Sequence, residues 1–420
     1  MLNLVILGGG KGKRLKKYFD SSKILLKIFN KTLLQLNLEF FNKIKKRYLI
    51  INQNQIDIKK YLKIKKFSNL KIFEEEKRLD TGGCLYYLKS IKNYEKKNFL
   101  IVYGDLITNI DYVKFYKFFK VTKSKISLLA HRNDHIMDSD TVDVNENDFV
   151  DRFYFKPHKN IKDISTLTMS GISIINGSVL KNLTKKKISF NLLLKKNRKK
   201  TSVFETRDFV KDVGTPKRVR WVKKNLNFSK LIRKKNIPNK AIFLDRDGVI
   251  NLEKKNEKVS NPFNFAKGIF NALRVIKKNN YLIIIITNQP GVAKGFISEN
   301  KLKNINKKYI NFFSRKKIII DSLLYCPHHP EKGFKGEIKK FKVNCNCRKP
   351  KIGLFINATK KFNIDIKNSL FVGNSQNDFY ASKKMKLKYF HIYNKNKVDY
   401  VHKNLQFKSL NKVINNYFKN

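Results

Sequence analysis

Acidic residues are scarce in this chain. Asp and Glu number 32 against 92 Lys and Arg, a formal net charge of +60 over 420 residues. A field of that sign collects phosphates, which brings nucleic acids and phosphorylated small molecules into view. The lysines are scattered along the whole chain beside plentiful Asn and Ile, with no basic tail and no nucleic-acid-binding module. The excess therefore reads as compositional bias: no nucleic-acid partner is expected, but the field should draw in phosphorylated substrates. Cysteine is nearly missing too, and four residues exclude a disulfide framework. No apolar run reaches the roughly 20 residues of a membrane span, so no membrane insertion is expected. The longest candidate, Leu282 to Ile286, reads as a buried strand. The N-terminal stretch Met1 to Leu7 is apolar but lacks a basic leader and runs into glycines. That pattern argues against a signal peptide and for a cytoplasmic protein.

What is present is enough chain for two domains and an ordinary hydrophobic fraction of 41%. The organising stretch is Ala241-Ile242-Phe243-Leu244-Asp245-Arg246-Asp247-Gly248. A short apolar run ends in two aspartates, and a glycine lets the backbone turn away. At the carboxyl end of a parallel strand, such a pair faces the crevice where α/β proteins bind ligands. One carboxylate can attack phosphorus while the other moves a proton. Asp-x-Asp alone is equally an acidic turn, and the residues downstream of it decide between the two.

Strands are expected at 241–245, 281–286, 321–325, 369–373 and 388–392, and helices near 266–279, 299–314, 351–362 and 376–386. Their alternation predicts a doubly wound parallel sheet. Thr287, Asn288 and Gln289 follow the second strand, where a hydroxyl and amides can donate to phosphate oxygens without adding charge. Cys326-Pro327-His328-His329 and Cys345-Asn346-Cys347-Arg348-Lys349-Pro350 supply three thiols and one imidazole. Cys326, His328, Cys345 and Cys347 form a four-ligand set of the closed structural Zn²⁺ type, with His329 outside it. Such a metal would tie down a long loop and aim Arg348 and Lys349.

With Gly373-Asn374-Ser375-Gln376-Asn377-Asp378, these pieces resemble the haloacid-dehalogenase (HAD) phosphatases over about 240–392. Within them the zinc-containing branch of heptose 1,7-bisphosphate and histidinol-phosphate phosphatases is the nearest in pattern. The resemblance implies Asp245 as nucleophile, Asp247 as general acid and base, and Thr287 and Lys349 as stabilisers of the transferring phosphoryl group. Arg246, Asn288, Gln289 and Arg348 would meet substrate. Mg²⁺ would be held by Asp245, the Asp247 carbonyl and position 374, with Asp378 assisting through water. The family has aspartate at that position and this chain has Asn374, so a weakened Mg²⁺ affinity is expected.

The first half opens with a strand, Leu4 to Leu7, followed by Gly8-Gly9-Gly10-Lys11-Gly12-Lys13-Arg14. Glycines after a strand let amides close on phosphate oxygens. Asp80-Thr81-Gly82-Gly83, the strand Phe99 to Asp105, and Lys211-Asp212-Val213-Gly214-Thr215-Pro216 come next. In this order they resemble the sugar-1-phosphate nucleotidyltransferases over roughly the first 225 residues. That resemblance implies a Rossmann-like fold. Gly9, Gly10, Gly12, Arg14 and Lys23 would hold a nucleoside triphosphate, Gly82 and Gly83 would lie against its base, and Asp105 and Asp212 would hold Mg²⁺. Departures include Gly8 for alanine, Lys13 for threonine, and Phe155-Lys156-Pro157 where the family has Glu-Lys-Pro.

The expected organisation is a nucleotidyltransferase-like domain at 1–228, a linker at 229–239, a HAD-type phosphatase domain at 240–395 and a C-terminal tail at 396–420. The expected function is bifunctional: removal of the 7-phosphate of D-glycero-D-manno-heptose 1,7-bisphosphate, and coupling of the heptose 1-phosphate to a nucleotide for a surface glycan such as lipopolysaccharide. The alternative is a histidinol-phosphate or other sugar-phosphate phosphatase beside a non-catalytic transferase-like domain.

Overall fold

Ala241–Leu244 is apolar at every position and fully buried, as a strand covered on both faces must be. It lies inside a six-stranded parallel sheet in the order Ser322–Cys326, Leu282–Asn288, Ala241–Leu244, Leu370–Gly373, Lys388–Ile392, Gln406–Phe407. The chain first steps outward to one side and then restarts on the other. The crevice at that reversal lies beyond the carboxyl ends of Ala241–Leu244 and Leu370–Gly373, where Asp245 and Asn374 follow. Helices cover the sheet because their apolar residues recur at three and four: Ile269–Lys278 buries Ile269, Ala272, Leu273 and Ile276. Helix Glu299–Arg315 begins where the Ser298 side chain accepts from the Lys301 amide.

The computed structural model describes residues 1–419 other than 11, 13, 16, 133–135, 146, 159–163, 228–236, 254–260 and 395. The chain divides into two compact units, the break falling between Ile237 and Pro238. Most of the expected linker lies outside the described residues. The expected tail needs correcting: Gln406–Phe407 is the sixth strand, and Leu410–Lys419 is a helix that buries Leu410, Val413 and Ile414 in the same core as Ile269–Lys278. The polar, lysine-rich stretch before it hid a short amphipathic helix whose three-and-four spacing needs the sheet's core to settle on.

The first unit is built on a nine-stranded mixed sheet. Its parallel centre runs Asn98–Tyr103, Leu2–Leu7, Arg47–Asn52, Leu70–Glu75, and Leu167–Asn176 joins it antiparallel. Alternation divides the central strands between two cores: Val5 and Ile101 face one side, Leu4, Ile6, Leu100 and Val102 the other. A separate antiparallel pair, Leu106–Thr108 with Val210–Asp212, brings two distant segments together. Among the described residues, no helix is long and apolar enough to cross a membrane.

Candidate functional site

In the second unit, Asp245 is the first residue past its strand, and its amide still donates to the Val372 carbonyl (3.0 Å). Its Oδ1 accepts from the Arg246 amide (2.7 Å) and lies 2.9 Å from Lys349 Nζ. Burial pushes the Asp245 carboxyl up to about 7; Lys349 pulls it down, and Asp378 and Asp247 oppose that pull. Lys349 is 2% exposed and also reaches the Ile286 carbonyl (3.0 Å) and Asp378 Oδ1 (2.6 Å). Burial alone would lower this ammonium, but its two carboxylate neighbours outweigh burial and raise it.

Asp247 is held by four donor contacts: Arg246 Nε (3.1 Å) and Asn251 Nδ2 (3.2 Å) on Oδ1, Arg246 Nη2 (2.8 Å) and Gln289 Nε2 (2.8 Å) on Oδ2. Arg246 was expected to meet substrate. In the structure it is 1% exposed and forked onto Asp247. Gln289 also donates to Thr287 Oγ1 (2.9 Å), so Thr287 and Asp247 share one amide. Asn288 clasps the Lys349 backbone, accepting from its N–H (3.0 Å) and donating to its carbonyl (3.2 Å). Arg348 donates to the His328 carbonyl (3.3 Å).

Asp378 differs from expectation. It is fully buried at the start of helix Gln376–Met385, where Oδ2 accepts from the Asn374 amide (3.2 Å), the Ser375 amide (3.0 Å) and the Ser375 hydroxyl (2.7 Å). With Oδ1 on Lys349, both oxygens are engaged, and Asp378 anchors the lysine where an approach to Mg²⁺ through water was expected. Gly373 is required there, because a Cβ would run into the Asp378 side chain. Asn374 folds over Gly248, whose φ of +79° and lack of side chain admit it. Two contributors were not read from the sequence. Tyr309 donates to Asn251 (2.8 Å), and burial, then the charge of Asp247, raises the Glu253 carboxyl beside the site. The asparagine four residues after Asp247 was the available signal for the first.

Cys326, His328, Cys345 and Cys347 place their ligand atoms within 4.8 Å of one another. His328 Nδ1 is 3.1 Å from Cys347 Sγ, and Cys347 lies 3.1 and 3.3 Å from the sulfurs of Cys326 and Cys345. Hydrogen bonding from Cys326 first, then Cys345 and His328, brings the Cys347 thiol down to about 5 against its burial. This is a donor set able to hold a metal ion, formed by the end of strand Ser322–Cys326 and the segment just before Lys349.

In the first unit, a cavity of about 430 Å³ is lined by Gly9, Gly10, Gly12, Lys23, Thr81 and Asp105, among others. Lys23 forms an ion pair with Asp105. The Val213 amide donates to the Asp105 carbonyl (3.0 Å), and Asp212 pairs with Arg218 (2.5 Å). Lys23, Asp212 and Arg14 converge on Gly214, where a Cβ would meet them at 2.9, 3.0 and 3.2 Å. Gly82 and Gly83 do not line the cavity as expected. Both amides donate to the Ile188 carbonyl (2.9 Å each), and their missing side chains admit the backbone of 186–189.

Residues 3–224, more than half the chain, match the family model described as nucleotidyl transferase, and residues 240–414 match that described as polynucleotide kinase 3 phosphatase. D-glycero-beta-D-manno-heptose-1,7-bisphosphate 7-phosphatase of Vibrio cholerae is 38% identical over 34% of this chain and 74% of its own length. The chain belongs to the nucleotidyl transferase family in its first half and to the family of these HAD-type phosphatases in its second. The D-glycero-alpha-D-manno enzyme of Campylobacter jejuni is 36% identical over 43% of this chain and 96% of its own length. The nucleotidyl transferase half aligns with the crystal structure of HddC from Yersinia pseudotuberculosis at 23% identity and a TM-score of 0.47, covering 54% of this chain and all of that one. The phosphatase half carries the aspartates and the thiol cluster; the transferase half carries the glycine-lined cavity.

Proposed function

We propose that the phosphatase half removes the 7-phosphate of D-glycero-D-manno-heptose 1,7-bisphosphate and that the transferase half couples the resulting heptose 1-phosphate to a nucleotide. The reading rests on one arrangement: Asp245 and Asp378 bound to the same buried ammonium, with Asp247 immobilised beside them.

Asp245 Oδ1 is taken by Lys349 and an amide, so Oδ2 is the oxygen offered to phosphorus. As the Asp245–phosphorus bond forms, the bond from phosphorus to the sugar oxygen breaks, and Asp247 gives its proton to that oxygen. Water then attacks the aspartyl phosphate, Asp247 takes up its proton, and inorganic phosphate leaves. Lys349 and Thr287 face the charge that accumulates on the phosphoryl oxygens. Arg246, Gln289 and Asn251 keep Asp247 aimed.

The donor set fits Mg²⁺. Burial pushes the Asp245 carboxyl up to about 7 even with Lys349 beside it, so a further cation would favour its ionised form at neutral pH. Asp245, the Asp247 carbonyl and Asn374 would hold it, and when bound it would neutralise phosphoryl charge. The thiol cluster fits Zn²⁺, a thiol lowered to about 5 being a ready ligand; its part would be to fix the loop that ends in Arg348 and Lys349. In the transferase half, Lys23 and Arg14 would neutralise the triphosphate, and Asp105 and Asp212, brought onto neighbouring segments by the pairing of Asp212 with Leu106, would hold a second Mg²⁺. The sugar-phosphate oxygen would attack the α-phosphorus and pyrophosphate would leave.

The test is incubation with heptose 1,7-bisphosphate, Mg²⁺ and each nucleoside triphosphate in turn, with products identified by mass. One inorganic phosphate and one nucleotide-heptose per substrate is expected. Phosphate release without any nucleotide sugar would leave the phosphatase alone standing.

A further inference from the structure

Lysines scattered along the sequence are sorted by the fold of the first unit. Strands Arg47–Asn52, Leu70–Glu75 and Asn98–Tyr103 run parallel to Leu2–Leu7 or to each other and start at one end of the sheet. Strands Ile126–Arg132 and Thr201–Glu205 start there too, because the Asn176 amide donates to the Lys125 carbonyl (2.8 Å) and Asn176 is paired with Asn98. The segments leading into these strands, 43–46, 65–69, 92–97, 120–125 and 198–200, each hold two or three lysines or arginines, and Glu95 is the one acid among them. The other end of the sheet holds the glycine-lined cavity, with Glu75, Asp80 and Asp105 in its wall.

Between the lysine-bearing segments lies a second cavity of about 270 Å³, ringed by Lys96, Lys120, Lys123 and Lys125. No acidic side chain lines it, and among the described residues no carboxylate pairs with the four ammonium groups. Two of these lysines have an ordinary explanation: Lys120 and Lys123 close helix Tyr112–Thr122, where cations answer the negative end of the dipole. Lys96 and Lys125 do not belong to that helix. At the base of the cavity are polar side chains that solvated lysines do not need, Asn98 and Ser124, only 8% and 6% exposed. The Ser124 hydroxyl is tied to those of Thr122, Ser127 and Ser202 (3.1, 3.0 and 3.0 Å). Asn176 Nδ2 donates to Asn98 Oδ1 (3.0 Å), and Asn98 Nδ2 donates to the Tyr116 hydroxyl (3.1 Å). Each amide nitrogen thus spends one of its two hydrogens inside the protein and keeps the second for a bound oxygen.

We propose that this cavity is a second anion-binding site, built for a diphosphate group, either free pyrophosphate or the diphosphate of a nucleotide. Four ammonium groups gathered without a counter-charge repel one another, and a compact anion of several charges relieves that repulsion. The hydroxyl and amide base is fixed before the anion arrives, so little ordering is left to be done on binding. Asn98 begins the strand whose far end, Tyr103, lines the glycine cavity, which sets the two sites about 17 Å apart at ~3.3 Å per residue. One diphosphate cannot span them. The inference does not depend on the reading of either catalytic site.

The experiment locates the anion by lysine protection. Full-length protein in EDTA is acetylated briefly with and without pyrophosphate, and the rate at each lysine is read by mass spectrometry after digestion. With pyrophosphate about ten times above its dissociation constant, Lys96, Lys120, Lys123 and Lys125 should react about tenfold more slowly, with one shared midpoint. The exposed Lys403 and Lys412 should keep their rates. Ser124→Val keeps all four lysines and should raise the midpoint for Lys96, Lys120 and Lys123 about tenfold, a change that charge alone would not produce. K96Q/K125Q, altering two exposed side chains, should abolish protection of Lys120 and Lys123 and carries the test if the serine variant does not fold. A nucleoside diphosphate is the second arm: tighter protection by it assigns the site to a nucleotide, and tighter protection by pyrophosphate assigns it to the free anion. Equal slowing at all exposed lysines, equal protection by sulfate at matched ionic strength, or protection by neither diphosphate would overturn the proposal.

Discussion

Asp245 is an expensive residue to bury. The fold keeps one oxygen on Lys349, yet burial and two nearby carboxylates still raise its carboxyl to about 7, well above the ordinary carboxylate range. A folded-state value above the unfolded one means that the native protein holds this proton more tightly. The stability this contributes is fully present below about pH 4 and is lost as pH rises through about 7. Metal-free protein should therefore lose melting temperature between pH 5 and pH 8, and Asp245→Asn should flatten that slope. The variant leaves Lys349 paired with Asp378, so the ammonium is not orphaned. At pH 8 in EDTA the variant should melt higher, with each ~1 kcal/mol gained appearing as about 2–4 °C. Hydrolysis should fall to background in the same protein, and added Mg²⁺ should stabilise the wild type more than the variant. Scanning calorimetry with and without EDTA checks the stability claims, and phosphate release the chemistry. Arg246 carries the complementary lesson. The family resemblance implied a residue facing substrate, but a motif match does not say which way a side chain turns. Only the burial of its guanidinium beneath Asp247 separates a positioning role from a binding one.

Elements explain why some parts of the site were legible and others were not. Strand ends were readable because an apolar run stopped by Asp, Thr or Gly is a local pattern, and the functional residues sit at such stops. The thiol cluster was readable because its two halves are each compact in sequence. The family resemblance implied that Gly82 and Gly83 lie against the base. What approaches them is the chain's own 186–189 segment, a contact with no local signature. The final helix, Leu410–Lys419, was missed because a ten-residue amphipathic segment is stable only on a core that the sequence does not display. The cluster loop is where an element-level prediction belongs. Cys347 lies two residues before Lys349, so loss of the cluster should reach the ammonium at once. Cys347→Ser should drop bound zinc below half an equivalent by metal analysis and lower phosphatase kcat about tenfold or more. It should also open 327–345 to limited proteolysis while the strands at 241–244 and 370–373 stay protected. Full activity in a zinc-depleted variant would separate the cluster from catalysis.

At the scale of the whole molecule, two units with separate cores and separate candidate sites occupy one chain. The net charge of +60 comes from lysines scattered along the whole sequence and fits a chain whose proposed substrates and intermediate are all phosphorylated. Charge of one sign over the whole surface would raise the local concentration of such anions, so KM for the bisphosphate should rise with ionic strength while kcat holds. Covalent linkage of the two activities does not by itself require that the intermediate pass directly between sites. If the heptose monophosphate is released to solvent, the halves can be inactivated in different molecules and still cooperate. Asp245→Asn protein should stop at the bisphosphate, and Asp212→Asn protein should accumulate the 1-phosphate. An equimolar mixture of the two should make nucleotide sugar after a lag that shortens as the Asp212→Asn component is raised. A time course by mass spectrometry reads all three cases. Product from the wild type with none from the mixture would mean that the intermediate is not shared through solvent, and the two halves would then have to be treated as one catalyst.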